Sequence, residues 1–592
     1  MSVSLACGFY LLRPDARVPG TWQAHLRSQI NRGNAGAVAE FDDGRFFALK
    51  LDLGAFDAPG WKVGTRYVTA LSGDAIFDVG LDQRDRTDDI AALAGAGLED
   101  LHPLLAASRG YFNLVHYDRS DQRLALAVDR VGERSLYLYR DDDVVVFSGA
   151  LRLIETLPGI HLTTDLQGVL ETAAFGVPLG LRTRYKEVRC LGGGALRLFD
   201  GASEQLDRYW KFDRDACTEV TTDIEGTLDE LYAQFQRAVA LRAGRRKTVF
   251  SALSGGLDSR SVTTELWRRG LEVRALNVSW PGSQDAVLAR LYAQRLGIDY
   301  HHVARPLDES GNSLSQRLCA LLQEQASIGG IAPCAARQIW SGNGGSIGLG
   351  HVKARREVGA LISSGDVAGA VRRLIAATKF NLSGKLLKGA VAGWAEALPF
   401  DSMMAEITQL RCQDPSRSVY VFLLEHDQRR LLAFHFEQID LVPFEFIEPL
   451  FDPEVLRVVC RLPMEFCRYH RMYHQWLQRF PPEILSVAWQ VYPGHEPCPV
   501  PPPADAFDQW KPPRHHGRAK ACGDAVRGAL RFLWQRRRYR DVLRADRVLG
   551  AYALQALQVR DTSHLLRQVD LLRVALSHSA ARVHIPAAAN HP

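Results

Sequence analysis

Lys247-Thr-Val-Phe-Ser-Ala-Leu253 runs directly into Ser254-Gly-Gly-Leu-Asp-Ser259, and Ser259 to Arg269 carries apolar residues at helical spacing. The apolar run reads as a buried strand and the glycine pair as a turn into a helix. A phosphate cradle needs this order. Glycines let the backbone approach an anion closely, and the free N–H groups at the helix start point at it. Asp258 can hold a magnesium ion whose other ligands are phosphate oxygens. Ser254, Gly255, Gly256, Asp258 and Ser259 are therefore the candidate phosphate-binding residues, with Asp258 as the metal ligand. The competing reading is a turn that binds nothing. A lone Gly-Gly would merit it; Ser-Gly-Gly-x-Asp-Ser at a strand-to-helix junction is more specific.

Outward from this loop the pattern repeats. Ile224 to Ala243 has helical periodicity through Leu228, Leu231, Phe235 and Val239. Val273 to Ser279 reads as a second strand and Gln284 to Leu296 as the next helix. Strands alternating with helices of this length predict a parallel sheet wrapped by helices, an α/β fold. Before about residue 215 the chain is richer in short strands, such as Gly110 to Asp118, Leu124 to Val128 and Val144 to Phe147, separated by Asp, Gly and Arg clusters. These predict an antiparallel, layered β domain. Pro497 to Pro503 reads as a crossing loop, and residues 518–583 as a helical bundle.

The composition bounds the class. The chain has 592 residues, 46% hydrophobic and 23% charged, which suits two or three globular domains. No run of about 18 apolar residues occurs, so no membrane span is expected. The N-terminus lacks the basic start and apolar core of a secretory signal, which predicts a cytoplasmic protein. With 72 basic and 67 acidic residues the net charge of +5 does not demand a nucleic-acid partner. The ten cysteines form no CxxC pair or zinc-finger spacing and read as free thiols. Arg536-Arg-Arg-Tyr-Arg540 reads as a solvated helix face rather than a nucleic-acid patch.

The segment 254–259 resembles the PP-loop of ATP pyrophosphatases, and the surrounding chain narrows the resemblance to the asparagine synthetase family. Ser283 to His302 is similar to that family's helix after the second strand. Gly110 to Asp118 and Asp129-Arg-Val-Gly-Glu-Arg-Ser-Leu-Tyr137 are similar to its amino-terminal glutaminase domain. The resemblance implies a sandwich-like, class II glutaminase-like domain over 1–215, an ATP pyrophosphatase domain over 220–505 and a helical extension over 506–592. It implies ATP and Mg2+ as cofactors, a small-molecule or peptide carboxylate as substrate, and a homodimer, as relatives often are.

Several positions depart from the family. The family glutaminase uses a cysteine at the mature N-terminus, whose thiolate attacks glutamine and whose own amine is the base. The nearest cysteine here is Cys7, and removing Met1 would expose Ser2. The family's oxyanion-hole Asn-Gly aligns with Ser72-Gly73. Losing the amide donor costs about 10²–10³ in rate. The glutaminase-like domain is therefore expected to be inactive. In the synthetase half, the second phosphate loop S-G-x-G-x-D-E corresponds to Ser341-Gly-Asn-Gly-Gly-Ser346. Ser341, Gly342, Gly344 and Gly345 keep the backbone cradle, while Asn343 and Ser346 replace acids. Glu445 to Asp452 matches the family's E-x-R-x-P-F-x-D with Ile447 in place of Arg. The family's pyrophosphate-stabilising Lys is missing after Leu462-Pro463. Arg471 is the nearest cation and His474 the second candidate, and these two are taken as the catalytic residues. Trp489 to Cys498 is dense in aromatics and turns; it either walls the acceptor pocket or is a packed loop.

The function expected from the resemblance is an AMP-forming amide ligase, which adenylates a carboxylate and passes it to an amine or ammonia. An intramolecular cyclase of the β-lactam synthetase or lasso-peptide type is one alternative, since those relatives also lack the terminal cysteine. A nucleotide-binding scaffold without catalysis is another, suggested by the missing acids and Lys.

Overall fold

The computed structural model describes residues 4–56, 58–77, 86–304, 317–325, 334–353, 355–378, 381–428, 432, 435–508, 518–539 and 541–576. They fall into two compact units that are discontinuous in sequence. The first comprises Met1–Gly159, Leu191–Arg356 and Arg411–Trp510, and the second Ile160–Cys190, Glu357–Leu410 and Lys511–Pro592.

The first unit begins with two antiparallel sheets. One places Tyr137–Arg140, Val144–Ser148, Ser4–Leu11, Phe46–Asp52 and Ala37–Asp42 side by side in that order. The other runs Ser203–Arg208, Ala195–Asp200, Arg123–Val128, Tyr111–Asp118, Tyr67–Asp74 and Trp61–Val63. Alternate residues of both sheets meet in one core, which includes Ala6, Tyr10, Phe46 and Phe147 from the first and Val68, Val115, Tyr117 and Leu126 from the second. That is the layered β architecture the short strands predict.

The rest of this unit is α/β. Helix Ile224–Ala243 starts at Asp223, whose carboxylate accepts from the Gly226 N–H, and buries Leu228, Leu231, Phe235 and Val239. Helix Gln284–Leu296 is capped by Ser283 and stops at Gly297, which adopts a left-handed φ of +66°. Five parallel strands lie in the order Asp299–Ala304, Glu272–Ser279, Thr248–Ala252, Gln338–Trp340 and Glu445–Ile447. From Thr248–Ala252 the chain adds two strands on one side, then two on the other. The order therefore reverses between Thr248–Ala252 and Gln338–Trp340. A parallel sheet opens a crevice at such a point, beyond the carboxyl ends of its strands.

The second unit is mainly helical. Helix Leu166–Phe175 packs on Gly389–Ile407 and on Ser563–Leu576, and Arg518–Tyr539 packs on Ala545–Ala556. Its polar tie is the buried Glu171, which accepts from Arg182 Nε at 2.9 Å and from Ser402 Oγ at 2.7 Å. The helical unit collects pieces from three separated stretches of the chain. Among the described residues, no helix is long and apolar enough to cross a membrane.

Candidate functional site

The two loops at the switch point interlock. Strand Thr248–Ala252 leads through Ser254, Gly255 and Gly256 into helix Leu257–Arg268, with Gly256 extended at its N-cap. Ser254 Oγ lies 2.9 Å from Ser259 Oγ and accepts from the Gly256 N–H at 3.2 Å, which fixes the turn. The Gly255 N–H donates to Asp285 Oδ1 at 2.6 Å. Strand Gln338–Trp340 leads likewise through Ser341–Gly344 into the short helix Gly345–Gly348. A Cβ on Gly342 would stand 2.3 Å from the Ser259 backbone nitrogen, and one on Gly345 would stand 2.4 Å from the Asp258 carboxyl carbon. Glycine is required at both places because the loops touch there backbone to backbone or backbone to carboxylate.

Beside them lies a cavity of about 190 Å³, walled by Ser254, Gly256, Asp258, Asp285, Ser346, His470 and Tyr492 among others. Asp258 is its central acid. Ser346 Oγ donates to Asp258 Oδ2 at 2.8 Å and lies 3.2 Å from the Tyr492 hydroxyl. Burial pushes the Asp258 carboxyl up to about 6, against the hydrogen bonds of Ser346 and Tyr473. A buried carboxylate bonded by the Ser346 hydroxyl and opening onto a cavity fits a hard, oxygen-ligated ion such as Mg2+, which takes one or two carboxylates and completes its shell with phosphate oxygens. Among the described residues, no cluster of three or more His, Cys, Asp or Glu could hold a metal by itself.

The structure thus brings Ser254, Gly256, Asp258 and Ser346 to one cavity, with Gly255, Ser259, Gly342, Gly344 and Gly345 supporting it. It treats the two proposed catalytic side chains differently. Arg471 is half exposed, with Nε 3.4 Å from Glu496 Oε1, and does not belong to the cavity wall. His474 is partly buried against Trp489, at 5.5 Å between ring centroids, and its Nε2 has no partner. Burial lowers its pKa. The basic group that does line the cavity is His470, at a left-handed φ of +66°. Burial, followed by the neighbouring His495 and His474, holds the His470 imidazole down at about 3. It is therefore neutral at ordinary pH.

Gln490 and Tyr492 line the cavity and come from the stretch 489–498, whose sequence left a pocket wall and a packed loop open. Two further groups are not evident in the sequence. Tyr473 acts on Asp258. Glu448, fully buried, accepts from Asn343 Nδ2 at 2.9 Å, and its second carboxylate oxygen has no partner. Burial pushes Glu448 up to about 7 although Asn343 hydrogen-bonds it. A buried acid thus stands against Asn343.

In the antiparallel half, Cys7 is in the middle of strand Ser4–Leu11, paired with Leu49 on one side and Ser148 on the other. Ala6 and Tyr10 face the core between the sheets, so Cys7 faces away from it by strand alternation. Burial pushes its thiol up to about 12, only partly offset by Arg152. Ser72 belongs to the opposite sheet, in step with Val68 and Ala70, and faces the inter-sheet core. Its hydroxyl is buried without a partner. The thiol and the hydroxyl therefore do not face each other.

Residues 90–210 match the family described as glutamine amidotransferase domain, and residues 230–324 match asparagine synthase. The loop 254–259 lies in the second match. Cys7, Ser72, Ser341–Gly345, Arg471 and His474 lie outside both. A curated relative, asparagine synthetase [glutamine-hydrolyzing] 3 of Bacillus subtilis (strain 168), is 26% identical over 185 residues, which are 31% of this chain and 29% of the relative. The match thus spans under a third of that protein's length. Two solved structures are also similar. One is titled as the allosteric regulatory enzyme of purine biosynthesis, at 10% identity over 53% of this chain and 69% of its own, with a TM-score of 0.24. The other is a glutamine phosphoribosylpyrophosphate amidotransferase from B. subtilis complexed with ADP and GMP, at 9% identity over 57% and 81%, with the same TM-score of 0.24. At that score neither carries an argument about this chain.

Proposed function

We propose that this chain is an ATP-dependent, AMP-forming amide ligase whose glutaminase-like half does not hydrolyse glutamine. The observation that carries the reading is the pair of interlocked glycine loops at the switch point, with Asp258 buried between them and open to the cavity. The match of residues 230–324 to asparagine synthase supports it.

In this reading the phosphates lie beside the loops 254–257 and 344–346, and the N–H groups of Gly255 and Gly256 leave Asp285 and Ser254 to meet them. Asp258, with Ser346 and Tyr473 bonded to it, would hold Mg2+, which supplies positive charge to the phosphate oxygens when bound. The carboxylate substrate attacks the α-phosphate, the bond to the bridging oxygen breaks, and pyrophosphate leaves. An amine then attacks the acyl-adenylate carbonyl and AMP departs. The cation for the departing pyrophosphate is proposed as Arg471, which must turn toward the cavity to serve; His474, whose pKa burial lowers, is the second candidate and would carry charge only in acid. His470 lines the wall and orients the nucleotide as a neutral donor.

The amine comes from free ammonia or from the substrate itself, since Cys7 lies inside a paired strand with a thiol held protonated. That observation also favours an intramolecular cyclase as the second reading. Incubation with ATP, Mg2+ and panels of carboxylates, with products resolved by chromatography, tests the proposal. AMP and pyrophosphate in equal amounts are expected, without dependence on glutamine. ADP and phosphate as the products, or strict glutamine dependence, would overturn it.

A further inference from the structure

Helix Arg518–Tyr539 in the helical unit carries two apolar faces. One, formed by Ala525, Phe532 and Tyr539, is buried, and the helix packs on Ala545–Ala556. A Cβ on Gly528 would stand 2.4 Å from Tyr552, so this side is filled to contact. The other face is bare. Val526 is 46% exposed, Leu530 62%, Leu533 38% and Trp534 86%. At 3.6 residues per turn these four positions fall on an arc of about 100°, roughly opposite the buried face. Large apolar side chains gathered on one exposed stripe, with an indole almost wholly in solvent, mark an interaction surface rather than scattered surface residues.

The charge of the helix says what covers it. Its 22 residues hold seven basic side chains, Arg518, Lys520, Arg527, Arg531, Arg536, Arg537 and Arg538, against the single acid Asp524. Arg527 and Arg531 are exposed along one border of the stripe and Arg536 along the other. Aliphatic Val and Leu gain nothing from a nucleic-acid backbone. A second copy of the same helix would bring like charges together. Residues 577–592 contain no acid and offer no complement. A basic border around an apolar stripe with Trp is instead the pattern that lies in the plane of an anionic bilayer, its apolar side chains among the acyl chains and its guanidiniums on the headgroup phosphates.

We propose that helix Arg518–Tyr539 docks the protein on an anionic lipid surface through Val526, Leu530, Leu533 and Trp534. The full chain should sediment with phosphatidylcholine vesicles containing phosphatidylglycerol and not with phosphatidylcholine alone. Leu530→Glu and Trp534→Ala should each weaken this binding about tenfold or more, and Arg527→Glu with Arg531→Glu should do the same. Raised salt should weaken the wild type. Because these side chains are exposed, thermal unfolding of the variants should match the wild type, so a loss of binding cannot be put down to misfolding. The proposal fails if wild-type protein ignores phosphatidylglycerol vesicles, if the variants bind them unchanged, or if neutral vesicles bind equally well. It also fails if Leu530→Glu only converts a dimer to a monomer in sedimentation velocity.

Discussion

At the scale of single residues the site depends on what is missing from Gly342 and Gly345. The Asp258 carboxyl occupies the space that a side chain at Gly345 would need. Gly345→Ala should displace that carboxylate and lower stability by about 1–3 kcal/mol, the usual cost of overpacking a filled site. Its MgATP affinity should fall further than the stability change accounts for; calorimetric titration beside a denaturant curve separates the two. Arg471→Ala tests the charge role. If Arg471 turns from Glu496 to meet pyrophosphate, adenylation should slow by about 10²–10³, with ATP affinity changing less. A wild-type rate in pyrophosphate exchange would assign Arg471 to the surface pair with Glu496 alone. The glycines and Asp258 are legible in sequence because they are consecutive in a loop of known chemistry. Glu448 is not: its partner Asn343 is 105 positions away, and only the pairing of Gln338–Trp340 with Glu445–Ile447 brings them together.

At the scale of elements, strand Ser4–Leu11 decides the fate of the glutaminase-like half. Both neighbours of Cys7 in the chain, Ala6 and Gly8, are paired with Lys50 and Ala48, and Ala6 also accepts from the Gly149 N–H. Releasing an amine at Cys7 would remove Leu5 and Ala6 from the core, where each is 1% exposed. Cys7→Ala should therefore leave amide formation from ammonia unchanged and alter only stability, by about 1 kcal/mol. Loss of a glutamine-dependent activity in that variant would contradict this. Helices Ile224–Ala243 and Gln284–Leu296 could be read from the sequence because periodicity and capping agree over many residues. Strands Gln338–Trp340 and Glu445–Ile447 are three residues each. That is too short for alternation to register, so the far side of the sheet was not legible.

At the scale of the whole molecule, the first unit is tied across its halves by a buried ionic knot. Asp452 caps helix Pro453–Arg461 and accepts from Arg109 at 2.9 Å and Arg242 at 2.7 Å. Arg109 precedes an antiparallel strand and Arg242 ends helix Ile224–Ala243, so one carboxylate joins three elements. Burial raises the Asp452 pKa, but the two guanidiniums outweigh it and leave it below the ordinary value. Its contribution is therefore fully present above the unfolded carboxyl pKa of about 3.9 and is lost as pH falls through the lower folded value. Asp452→Asn should destabilise by about 3–5 kcal/mol, because it strands two buried cations. Urea unfolding at neutral pH and near pH 3 should show the gap between variant and wild type closing in acid. The helical unit was not legible as a unit, since Glu171 and Ser402 meet across 231 positions that no local pattern spans.

Calorimetric titration of the full chain with MgATP, set against Asp258→Ala, decides whether the interlocked loops bind nucleotide. Binding that requires Mg2+ is expected in the wild type and is lost in Asp258→Ala, with the variant's unfolding curve unchanged. Equal affinity in the two proteins, or binding indifferent to Mg2+, would contradict the assignment of the interlocked loops as a nucleotide site.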